Sequence, residues 1–86
     1  MHMGTKEKLI DRLMSLPADF TFDEAARLLH LFGYEKENKG KTSGSRVMFM
    51  DEQKRKILLH KPHPGNILKR YALENIIEKL IRNKNI

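Results

Sequence analysis

Apolar positions along the chain form three helical stripes, with an alternating stretch between the second and the third. Leu9, Ile10, Leu13 and Met14 recur at i, i+1, i+4 and i+5, one face of a helix over residues 5–15 that Pro17 closes. The second stripe is Ala25, Leu28, Leu29 and Phe32. Thr21 and Glu24 precede it at the spacing of a capping box, in which hydroxyl and carboxylate each satisfy a free backbone N–H. Phe20 is placed to staple onto Ala25, and Gly33 to end the helix in the left-handed conformation, so a helix over 22–32 is predicted. Leu73, Ile76, Ile77, Leu80 and Ile81 predict a last helix over residues 69–83. Pro62 and Pro64 make its approach stiff and extended, since each also restricts the residue before it.

The segment between has the period of strands. Residues 34–38 read as an edge strand, because Glu and Lys alternate there. Residues 39–44 are a Gly/Ser/Thr loop, and 45–50 a strand with Val47 and Phe49 on one face. Residues 51–54 supply a polar hairpin turn, and Ile57-Leu58-Leu59 before His60 read as a strand covered on both faces. The order is α-α-β-β-β-α, an α+β arrangement with helices on one face of a three-stranded antiparallel sheet and the other face open to a ligand. Residues 20–86 form the main globular unit, 4–19 an additional N-terminal helix, and Met1-His2-Met3 read as a cloning remnant. The pattern leaves open whether the extra helix covers the sheet, extends the core or mediates self-association.

Composition narrows the class. At 86 residues the chain makes one domain. A chain this short buries only about 60% of its unfolded surface. There is no cysteine, hence no disulfide framework or thiolate metal site, which fits a reducing cytoplasm. No apolar run approaches the roughly 20 residues of a membrane span, and no signal-peptide pattern opens the chain. The net charge of +6 is unevenly spread: residues 36–70 hold ten Lys and Arg against three acids, residues 1–35 four against six. A basic middle of this kind points to a polyanion, nucleic acid first; the alternative is a solvated basic surface.

The candidate chemistry sits in that middle. Lys39, Lys41, Thr42, Ser43, Gly44 and Ser45 offer cations, hydroxyls and backbone N–H groups to phosphate, without the spacing of a nucleotide P-loop. Lys61, Asn66 and Lys69 extend this RNA-binding set. Lys54-Arg55-Lys56 either lengthens the positive track or merely aids solubility. Tyr34 and Tyr71 are the aromatics available to stack on bases, Phe49 is read as core, and His30 as a partly buried filler of the second helix. His60 and His63 lack a nearby carboxylate or thiolate, so no metal site and no cofactor are expected.

Several of these pieces together resemble one family. Phe32-Gly33-Tyr34, then Gly44-Ser45-Arg46-Val47-Met48-Phe49, then His63-Pro64-Gly65-Asn66-Ile67-Leu68-Lys69 leading into Leu73-Glu74-Asn75-Ile76-Ile77, follow the pattern of the HicA toxins of bacterial toxin–antitoxin systems. The resemblance covers residues 21–83 and implies a fold similar to a double-stranded-RNA-binding domain. It also implies cleavage of messenger RNA in the cytoplasm, checked by a HicB-type antitoxin that covers the site. In the family the strand histidine is catalytic, and here Arg46 stands in its place.

Arginine stays protonated, so Arg46 can clamp phosphate and stabilise developing charge but cannot act as a base. Proton transfer then falls to His60 or His63; the alternative is that both bind phosphate, cap the helix or face solvent. Two rival functions stand beside an RNA-cleaving toxin. One is a non-catalytic RNA-binding module on the same fold, and the other a domain that docks an acidic protein.

Overall fold

The computed structural model describes residues 4–37, 46–62 and 64–86. Within them the elements are α1 (Thr5–Met14), α2 (Phe22–Leu31), β1 (Glu35–Lys36), β2 (Arg46–Met50), β3 (Lys56–His60) and α3 (Arg70–Arg82). The order is the predicted α-α-β-β-β-α. The strands form one antiparallel sheet in the order β1-β2-β3, with β3 at an edge.

α2 begins and ends as its sequence dictates. The Glu24 N–H donates to Thr21 Oγ1 at 3.1 Å, and the Thr21 N–H to Glu24 Oε1 at 3.0 Å. Phe20 and Ala25 are both buried in the core. At the other end the Gly33 N–H donates to the His30 carbonyl and the Tyr34 N–H to that of Leu29. This is a Schellman closure, and Gly33 takes the φ of 93° that it needs. A Cβ at Gly33 would meet nothing within 4 Å, so the demand for glycine is purely conformational.

The β2–β3 turn is organised by one acid. Asp51 Oδ1 accepts from the N–H groups of Gln53 and Arg55, and its Oδ2 takes Arg55 Nε at 2.7 Å. The guanidinium then reaches the Asn83 carbonyl at 2.6 Å, tying the turn to the end of α3. Lys54 adopts a left-handed φ of 67° in this turn, where glycine is usual.

Side chains alternate cleanly on the sheet. Phe49, Ile57 and Leu59 are buried, with Val47 packed against the same core; Arg46, Met48, Met50, Lys56, Leu58 and His60 share the opposite face, and none of them is buried. Leu58 corrects the expectation of a third strand covered on both faces. The helices cover one face only, so Leu58 stays half-buried.

α1 extends the core. Leu9 and Leu13 join the cluster of Phe20, Leu28, Leu29, Leu73, Ile76 and Leu80. Arg12 clasps Glu24 through two bonds, Nε to Oε2 at 2.9 Å and Nη2 to Oε1 at 3.1 Å, and lies over the Phe20 ring. The stripes read from sequence are wider than the buried arcs: Met14 and Ile81 are at least half exposed, and Ile10, Phe32 and Ile77 only partly buried. His30 is exposed on the last turn of α2 and is no filler.

Candidate nucleic-acid interface

Arg46 and His60 are register partners at one end of the β2–β3 ladder, both exposed on the open sheet face. The phase of the ladder follows from two bonds: the Asp51 N–H to the Arg55 carbonyl, and the Glu37 N–H to the Met48 carbonyl. Phe49 with Ile57 and Val47 with Leu59 are therefore the hydrogen-bonded pairs. Arg46 with His60 is a non-hydrogen-bonded pair, the type in which Cα atoms approach to about 4.5 Å and side chains stand closest.

Beside this pair lies a groove of about 610 Å³ between β3 and α3. Met48, Lys56, Leu58 and His60 form its sheet side, Tyr71, Ala72, Asn75 and Lys79 its helix side, and Ile67 with Lys69 its end. Among the described residues no Asp or Glu lines it, and Lys56, Lys69 and Lys79 form no ion pair. Lys69 is also the N-cap of α3, whose first turn carries no acid to offset the positive end of the helix dipole.

The segment leading to α3 is fastened to the start of α2. The Phe22 N–H donates to the Asn66 carbonyl at 2.7 Å and the Leu68 N–H to that of Phe20 at 2.8 Å, around a Thr21–Ile67 bridge. Asn66 Nδ2 donates to Asp23 Oδ2 at 3.1 Å, so this side chain helps hold the loop. Lys61 is exposed, its ammonium 6.0 Å from the Phe22 ring centroid.

Of the expected site residues, the fold thus places His60 and Lys69 on the groove, with Arg46 across the ladder from His60 and Lys61 and Asn66 on the adjoining segment. Lys39, Lys41, Thr42, Ser43, Gly44, Ser45 and His63 lie outside the described residues. Tyr34 is corrected: it is wholly buried, its hydroxyl donating to Asn85 Oδ1 at 2.8 Å and accepting from Asn83 Nδ2 at 2.7 Å, so it cannot stack on a base. Tyr71 is 70% exposed at the groove. Arg55 is likewise taken out of the positive track by Asp51 and Asn83.

Asn75 and Lys79 escaped the sequence reading. With Tyr71 they fall at i, i+4 and i+8, a stripe whose only sequence signal is that of a solvated helix face. Among the described residues no group of three or more His, Cys, Asp or Glu could hold a metal, and no helix is long and apolar enough to cross a membrane.

Fold and groove together define a small α+β protein with a cationic cleft beside an open sheet face. Residues 22–80 match the model of the family described as HicA toxin of bacterial toxin–antitoxin. The chain belongs to the HicA toxin family, the toxin side of a bacterial toxin–antitoxin pairing. Neither curated proteins nor solved structures returned a match. The family span opens at α2, which leaves α1 ahead of it.

Proposed function

We propose that this toxin binds messenger RNA in the cytoplasm and cleaves it without a metal, under the control of a HicB-type antitoxin. The observation that carries this reading is the opposition of Arg46 to His60, which lines a groove free of carboxylates. Arg46 clamps the scissile phosphate and stabilises the charge that develops on it. His60 takes the proton of the 2′-hydroxyl, the 2′-oxygen attacks phosphorus, and the bond to the 5′-oxygen breaks. The ends are then a 2′,3′-cyclic phosphate and a 5′-hydroxyl, the leaving oxygen taking its proton from water or from His63. Lys56, Lys61, Lys69 and Lys79 hold the flanking phosphates, with Lys39, Lys41, Ser43, Gly44, Ser45 and Asn66 as the further contacts proposed. Contacts of this kind give low sequence preference and strong salt dependence.

The presence of Arg46 where the family carries its strand histidine favours a second reading, an RNA-binding module without catalysis. Incubation of the protein with a mixed-sequence messenger RNA in EDTA separates the two, with Arg46→Ala, His60→Ala and His63→Ala run in parallel. Cleavage by the wild type that His60→Ala abolishes supports the first reading. Salt-dependent binding weakened by Arg46→Ala, with the RNA left intact, selects the second.

A further inference from the structure

The ladder phase has a consequence for the outer edge of the sheet. Because residues 57 and 59 bond inward to β2, the N–H and C=O groups of Lys56, Leu58 and His60 point away from it. Among the described residues none of these groups has a hydrogen-bond partner outside the strand ladder. An unpaired edge of this kind is a template for another strand. The same three residues belong to the sheet side of the groove, with Ala72, Asn75 and Lys79 of α3 across from them.

We propose that the free edge of β3 takes an extended, acidic peptide segment of a protein partner as a fourth strand. This stands on the edge and the groove, independently of whether RNA is cut. Three features choose the occupant. The edge alternates donors with acceptors, and a peptide backbone satisfies both, whereas phosphate oxygens accept but cannot donate to the Lys56, Leu58 and His60 carbonyls. The cations about it, Lys56 and Lys79, face no carboxylate in the groove, so acidic side chains on the incoming strand complete the pairing. A second copy of this chain fits poorly, because its own β3 brings Lys56 and no carboxylate to answer Lys56 and Lys79. Half-buried Leu58, with Met48 beside it, gives alternate apolar side chains of the strand a seat. Lysine also serves to blunt naked edges, which would leave this one empty. Seated there, the segment lies against His60.

Acetyl-Val-Glu-Val-Glu-Val-Glu-amide, titrated into 15N-labelled protein with amide hydrogen exchange recorded, tests the assignment. The expected result is binding, with exchange at Lys56, Leu58 and His60 slowed about tenfold or more at saturation. The Lys56→Glu/Lys79→Glu double variant, both positions lying outside the buried core, should bind it about tenfold more weakly. The same peptide with Lys for Glu should not bind. Absence of binding up to about 1 mM, or binding that leaves the three amides unprotected, overturns the proposal. So does an oligouridylate that protects those amides when the peptide does not, which would assign the edge to RNA.

Discussion

Arg46 and His60 face one another across β2 and β3 on the open side of the sheet, a permanent cation set against a side chain that can carry a proton either way. A ribonuclease reaction moves two protons, one from the 2′-hydroxyl and one to the leaving oxygen, and this pair offers one carrier. Arg46→His supplies a second. The variant should cleave RNA about a hundredfold faster than wild type. An unchanged rate would show that the opposed pair does not carry the proton transfer.

Acid should weaken the fold at two named points. Burial pushes the Asp51 carboxyl up, but the N–H and guanidinium of Arg55 and the N–H of Gln53 outweigh it and hold it below its usual range. Burial likewise raises Glu24, while Arg12 and Thr21 bring it lower overall. Both groups are depressed in the folded chain. Their stabilisation is therefore complete above the unfolded values of about 4 and is lost as pH falls through the lower folded ones. Urea midpoints measured from neutral pH downwards should hold steady and then drop below about pH 4. Asp51→Asn should lower stability at neutral pH by about 2 kcal/mol and make the acid limb shallower.

Tyr34 joins the start of the sheet to the C-terminal end of the chain through its hydroxyl. Tyr34→Phe keeps the ring in the core and leaves Asn83 and Asn85 without that partner. A loss of about 1–2 kcal/mol in equilibrium unfolding is expected, with RNA binding unchanged. Weaker RNA binding at full stability would return Tyr34 to the site.

Leu13 is wholly buried although α1 precedes the family span. Leu13→Ala should destabilise the protein by about 2–4 kcal/mol, as read from thermal or urea unfolding. A cost below about 0.5 kcal/mol would make α1 an appendage and not part of the core.

The elements that sequence disclosed best are those whose causes are local. Thr21, Glu24 and Gly33 act within a turn of their own helix, and both ends of α2 follow from them. The alternation of β2 and the stripe of α3 were equally plain, apart from the stripe edge at Ile81. The site was half legible. Arg46, His60 and Lys69 were marked by residue type and motif, whereas Asn75 and Lys79 look in sequence like any solvated helix face. Tyr34 misled because an aromatic in a charged stretch looks exposed, and its phenol partners lie about fifty residues downstream.

Sequence alone thus determined the helices, the strands, their order and the basic character of the middle, because capping, periodicity and charge act between near neighbours. Tertiary structure decided which face of the sheet stayed open, that Arg46 and His60 oppose each other, and that the edge of β3 runs beside α3. Those outcomes depend on register and packing between residues far apart in the chain. Arg55 is the clearest instance: one of three adjacent cations in the sequence, it is spent on Asp51 and Asn83, while Lys56, its neighbour, faces the groove.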